Sequence, residues 1–172
     1  MADNGGGTSI SITALDGIVN VNSLFTLAAF AGLAWTPSDG ATTLSSPECA
    51  AGDRVESDLV FFHVLAFACF LFSSLVALCL KQAIRTVSRH GHASSVRINR
   101  LGLRGGILAC ATGSVFACLF LMLALINVVQ VRLGRISCGG AALGAVLPLV
   151  ILVPSGLLIY AGIVLYTFSH TH

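Results

Sequence analysis

Four continuous apolar runs constrain this chain more than any other feature of its sequence. They extend over about residues 16–35, 58–80, 105–131 and 141–168. A helix needs about 20 mostly apolar residues to cross a hydrocarbon core of about 30 Å, and lipid offers the backbone no hydrogen bonds outside a helix. The runs are continuous rather than alternating, which argues against barrel strands. We therefore expect an all-α integral membrane protein, a four-helix tetraspan bundle.

Composition and charge agree with this class. Hydrophobic residues make up 56% of the chain and charged residues only 9%, whereas average chains hold about 25% charged residues. No basic stripe with interleaved aromatics indicates nucleic acid, so we expect no nucleic-acid partner. The expected organisation is a mobile N-terminal tail over 1–15, a transmembrane domain over 16–168 and a C-terminal tail over 169–172. No Lys or Arg precedes the first run, so we expect it to remain as a helix rather than be cleaved.

The positions of Lys and Arg predict the orientation of the spans. The second loop, residues 81–104, holds six of the nine, and the first and third loops hold the other three. Cytosolic loops carry an excess of positive charge. We expect the second loop and both termini to face the cytosol.

Two cysteines lie outside the predicted spans, and both lie on the non-cytosolic side. Cys49 is in the first loop and Cys138 is in the third. A disulfide is the expected outcome on an oxidising side of a membrane. The alternative is two free thiols that share a side, because the sequence does not give their separation.

The first run carries a polar stripe that its apolar character does not explain. Spacing of three and four places Thr13, Asp16, Asn20, Ser23 and Leu27 on one helical face. One interpretation is an aqueous path, with these residues lining a pore. Two others stay open: Asp16 as an interfacial carboxylate near a helix N-terminus, and Asn20 with Ser23 as hydrogen-bonding contacts between helices.

Other polar residues give weaker signals. Asn127 and Gln130 share a face of the third span and are second candidates for a pore lining. Glu56 and Asp58 precede or open the second span in an acidic first loop, and we expect them to attract cations at the non-cytosolic mouth. The sequence shows no nucleophile–base pair, ligand cluster or phosphate-binding loop. We expect no enzyme activity, no metal site and no cofactor.

The stretch DGIVNVNSLFTLAAFAGLAW, residues 16–35, resembles a plant family of small tetraspan proteins described as maternal-effect-embryo-arrest-like. The four-span layout and the basic middle loop are similar over most of the chain. The resemblance implies a calcium-permeable, cation-selective channel of the endoplasmic-reticulum membrane, assembled as a symmetric homopentamer and linked to plant immune signalling. The implied partners are further copies of the chain, the lipid bilayer and permeant Ca²⁺.

An alternative function is a non-conducting tetraspan scaffold or adaptor, with the plasma membrane as the alternative residence. The plant Casparian-strip-type membrane proteins are similar in length and topology. That family carries a charged pair within its spans, and the apolar runs of this sequence offer no such pair. A ring assembly remains the better fit, because each chain can then give one helix to a central axis.

Overall fold

The computed structural model describes residues 4–34, 47–90, 100–138 and 140–170, and most of them are helical. The described part of the chain contains no strand. Four long helices follow one another: α1 Asn4–Ala34, α2 Asp53–His90, α3 Arg100–Leu133 and α4 Gly140–His170. Short 3₁₀ turns cover Pro47–Cys49 and Ile136–Cys138.

Each long helix contains a segment long and apolar enough to cross a membrane. These segments are Ile12–Ala34, Asp53–Thr86, Gly102–Leu133 and Gly140–Tyr166. The all-α fold with four candidate membrane helices is therefore confirmed. Together the four helices indicate a multi-pass membrane protein.

The helices are longer than the apolar runs. The expected tail over 1–15 is helical from Asn4 onward, and Ile12 and Leu15 pack into the interior. Likewise α2 continues past residue 80 to His90, because Ile84 is only 4% exposed and packs in the same cluster. The expected tail over 169–172 is helical through His170. Residues 1–3, 91–99 and 171–172, and the predicted end of the first span at 35, lie outside the described residues.

The helices pack mainly in sequence order. The most extensive contact joins α2 and α3, α1 packs along α2, and α4 packs on α3. Small residues allow the close approach of α2 and α3: a Cβ at Gly113 would lie 3.3 Å from the Cβ of Ser73. Ala77 and Ala117 are fully buried. Membrane helices commonly associate in this way, because small side chains let backbones approach.

Two apolar clusters form the interior of the bundle. One contains Ala29, Ala66, Phe70, Ala117 and Leu121. The other contains Leu15, Ala77, Ile84 and Cys110. Between them on α1 lies Asn22, seven residues from both Leu15 and Ala29, so it occupies the same buried face.

The predicted disulfide between Cys49 and Cys138 is present. The two Cα atoms are 5.9 Å apart, within the usual range for a disulfide. A backbone hydrogen bond supports the same contact, from the amide of Arg135 to the carbonyl of Cys49 at 3.0 Å. Gly134 ends α3 with φ of 90°, and its amide donates to the carbonyl of Gln130 at 3.0 Å. This left-handed conformation suits glycine at a helix C-terminus.

Candidate functional site: two polar faces of the first helix

Helix α1 presents polar side chains on two separate faces. Asn22 faces inward and is 2% exposed. Thr13, Asn20 and Ser23 are exposed on the surface of the chain, and Asp16 is partly exposed. The two faces have different partners and therefore different roles.

The inward face belongs to a buried polar layer of Asn22, Ser73 and Ser114, one residue from each of α1, α2 and α3. The Asn22 amide nitrogen Nδ2 donates to Ser73 Oγ at 2.8 Å. Ser114 Oγ donates to Asn22 Oδ1 at 3.2 Å. Ser73 Oγ donates to the carbonyl of Cys110 at 2.8 Å, and the two serine hydroxyls are 2.8 Å apart.

The polar layer is short of one proton. Ser73 and Ser114 each have a single hydroxyl proton. Three contacts require one: the Cys110 carbonyl, Asn22 Oδ1 and the bond between the hydroxyls. One of the three is therefore unmade at any moment. The second amide proton of Asn22, in contrast, has no acceptor among the described residues.

The polar layer was not predicted from the sequence. Asn22 lies among apolar residues on its face, so a search for a polar stripe passes over it. The available signal was the spacing of seven from Leu15 to Asn22 to Ala29, together with Ser73 and Ser114 within or beside stripes of small residues. A lone amide on a buried face requires polar partners on the neighbouring helices.

The part of the polar stripe from Asn20 to Leu27 is exposed and faces away from the other three helices. The Asn20 side chain makes no hydrogen bond within the described residues. Ser23 Oγ donates to the carbonyl of Val19 at 2.7 Å, within its own helix. Leu27 is 66% exposed. Within the described part of the chain, Asn20 and Ser23 thus make no hydrogen bond to another helix, a role that Asn22 fills instead.

Asp16 forms an ion pair with Lys81, which joins α1 to α2. The Asp16 side chain is 41% exposed and that of Lys81 is 18% exposed. The expectation that the spans lack a charged pair is therefore wrong. The charge of Lys81 predicts a loop at this position, whereas the residue lies within α2.

The second candidate pair, Asn127 and Gln130, is partly buried near the end of α3. Gln130 Nε2 lies 3.4 Å from Asn127 Oδ1, at the long end of a hydrogen bond. The two amides thus contact each other one helical turn apart. They remain a second candidate for a pore lining.

Glu56 and Asp58 are exposed near the start of α2. The α2 helix begins at Asp53, four residues after the disulfide-bonded Cys49. The bridge therefore anchors the segment that leads into this acidic start of α2. Carboxylates at a helix N-terminus also suit the helix dipole.

Within the described ranges, no group of three or more His, Cys, Asp or Glu side chains could hold a metal ion. Comparison with known proteins gives no match to a family model, to a curated protein or to a solved structure. The class that the geometry defines is a multi-pass α-helical membrane protein with a buried polar layer and an outward polar stripe on its first helix.

Proposed function

We propose that this chain assembles into a symmetric ring that conducts cations along an axis lined by α1. The observation that carries the proposal is the outward position of Asn20 and Ser23 within a membrane-spanning helix. The pentameric state, calcium permeability, an endoplasmic-reticulum location and a link to plant immunity come from the family resemblance and are part of the proposal.

The amide of Asn20 needs a hydrogen-bond partner if it lies within the membrane. Burying an unpaired amide in hydrocarbon costs several kcal/mol, about 2 to 7 depending on the reference state. Polar residues within membrane helices therefore face other protein or water. Since Asn20 has no side-chain partner among the described residues, an adjacent copy or an aqueous axis supplies one.

In a ring, each stripe residue becomes a set of equivalent groups around the axis. Asn20 and Ser23 supply oxygen ligands, and Leu27 forms an apolar constriction that can close the path by dewetting. Glu56 and Asp58 supply a carboxylate ring at one mouth, which concentrates cations. In this arrangement the basic segment between α2 and α3, and both termini, lie in the cytosol.

A scaffold without conduction is the second candidate. The Asp16–Lys81 ion pair favours it, because it supplies the charged pair between spans that such scaffolds carry. The two functions differ in one measurement, the current through a bilayer that contains the purified protein. A scaffold would be silent.

Replacing Asn20 with leucine tests the lining. Asn20→Leu should preserve the assembly, because apolar bulk is tolerated in a helix bundle, and should lower single-channel conductance about tenfold or more by drying the axis. The matched control is Ala28→Leu, at another exposed position of α1 outside the stripe. Its conductance should stay near that of the unmodified protein.

Size-exclusion chromatography on the same variants separates lining from packing. If Asn20→Leu carried a normal current while its oligomer dissociated, the stripe would be a subunit contact. Asn127 and Gln130 would then be the next residues to replace. A silent unmodified protein would favour the scaffold.

A further inference from the structure

Helix α4 packs on α3 and leaves a cleft between itself and α1. The cleft has a volume of about 510 Å³. Its walls come from residues 14–25 of α1, 114–118 of α3 and 152–160 of α4. Most of the lining side chains are apolar, including Ile18, Phe25 and Leu157.

The length of the cleft matches one leaflet of a bilayer. At 1.5 Å per residue, residues 14–25 extend about 16 Å along α1, and half of a hydrocarbon core is about 15 Å. Consecutive spanning helices alternate in direction, so Tyr160 of α4 lies towards the same end as Ala14 of α1. This end also holds the Asp16–Lys81 ion pair.

The inner part of the cleft is polar at one place. Asn22 and Ser114 both line it, and they are 2% and 9% exposed. Asn22 is about 12 Å along α1 from Ala14, deep in the leaflet. Its second amide proton has no acceptor among the described residues. A buried donor without an acceptor is costly, so the cleft suits an occupant that brings an oxygen to this depth.

We propose that the cleft binds a single-chain lipid with a hydroxyl or carbonyl oxygen part-way along its chain. The chain fills the apolar walls, and the oxygen accepts the free proton of Asn22. An unsubstituted acyl chain fills the same space but presents only C–H groups to the amide. The inference goes beyond conduction, because it concerns a binding site that is assayed without current.

A matched ligand pair tests the oxygen. The purified protein in detergent micelles is titrated with stearic acid and with its mid-chain hydroxylated analogue, and bound ligand is counted by native mass spectrometry. The hydroxylated acid should bind about fivefold more tightly, which corresponds to about 1 kcal/mol for one added hydrogen bond. Equal affinities for the two acids would overturn the proposal.

A matched pair of glycines on α4 tests the location. Gly156 lines the cleft, Gly162 does not, and a Cβ at either meets no atom within 4 Å. Gly156→Leu fills the cleft and should lower binding of the hydroxylated acid about tenfold or more, whereas Gly162→Leu should bind as the unmodified protein does. Unchanged binding by Gly156→Leu would overturn the assignment. If the unmodified protein bound neither acid and Gly156→Leu lost its oligomer, the cleft would be a contact with a second copy, and the proposal would also be overturned.

Discussion

Single residues in this protein show how a membrane helix uses polar groups. Ser73 contacts both other members of the polar layer and the Cys110 carbonyl. It thereby connects α1, α2 and α3 at a single position. Among the described residues, Ser23, one residue after Asn22, bonds only to the carbonyl of Val19 within its own helix. The two serines therefore form a natural comparison between a contact within a helix and a contact among helices.

We expect Ser73→Ala to lower the free energy of unfolding by about 1 to 2 kcal/mol. The substitution leaves the Asn22 amide and the Ser114 hydroxyl without one partner each, and hydrogen bonds between membrane helices contribute about 0.6 to 2 kcal/mol. Ser23→Ala, the control, should change it by about 0.5 kcal/mol or less. Unfolding titrations with a denaturing detergent measure both. Equal effects of the two substitutions would contradict a central role for the layer.

Gly32 and His63 form a second close contact, between α1 and α2. His63 is 2% exposed, and its Nδ1 donates to the carbonyl of Leu59 at 2.9 Å. The ring is held with its other nitrogen against Gly32, where a Cβ would overlap it. Close approach of the two helices at this level therefore requires glycine.

We expect Gly32→Ala to destabilise the bundle by about 1 to 3 kcal/mol, because the new methyl group displaces the imidazole or the helix. Gly17→Ala is the control. Its Cβ meets no atom within 4 Å, so higher helix propensity should stabilise it by up to about 1 kcal/mol. Adding His63→Ala to Gly32→Ala should restore part of the loss. If it restores nothing, the clash lies elsewhere.

At the scale of helices and loops, the apolar runs predicted the number and order of helices but not their ends. The charges of Lys81 and Arg85 predict a loop, yet both residues lie on α2. The helix continues here because Ile84, between them, packs its side chain in the interior. The spacing of the polar residues predicted the polar stripe of α1. Its outward direction could not be predicted, because it depends on how the other helices pack against α1. A single chain's periodicity identifies a face but not what that face contacts.

The disulfide connects two loops that join different helix pairs. Its cysteines are 89 residues apart, which for a chain unfolded in water corresponds to about 4 to 5 kcal/mol of stabilisation. Membrane helices remain inserted when they separate, so the chain is already restricted and the effect should be smaller. We expect reduction to lower the detergent-unfolding midpoint measurably. The Cys49→Ser/Cys138→Ser variant, as control, should show no response to reductant. A midpoint that reductant leaves unchanged in the unmodified protein would contradict a stabilising bridge.

At the scale of the proposed ring, the ion pair changes how the Asp16 carboxylates of the copies would act on cations. In each chain the carboxylate is accompanied by the Lys81 ammonium, so the ring carries little net charge. Glu56 and Asp58 of the acidic mouth have no such partner among the described residues, and they remain the stronger attraction for cations in the proposed channel.

We expect opposite effects from the two partners of this pair on a conducting ring. Lys81→Gln frees the Asp16 carboxylates and should raise divalent preference, because carboxylate oxygens are good Ca²⁺ ligands. Asp16→Asn leaves uncompensated ammonium groups and should lower cation conductance, most strongly at low salt, where charges are least screened. Bilayer recordings under calcium and potassium gradients measure both. If both substitutions shifted the cation conductance, or the divalent preference, in the same direction, the pair would lie away from the ion path.

The bridge between Cys49 and Cys138 also has a consequence for biosynthesis, through parity. Its two sulfur atoms must meet on one side of the membrane, so the chain between them crosses an even number of times. With α2 and α3 as the intervening helices, both cross or neither does. Failure of one to insert would leave the thiols in different compartments. The oxidised bond therefore excludes chains in which only one of α2 and α3 has inserted, whichever side faces the cytosol.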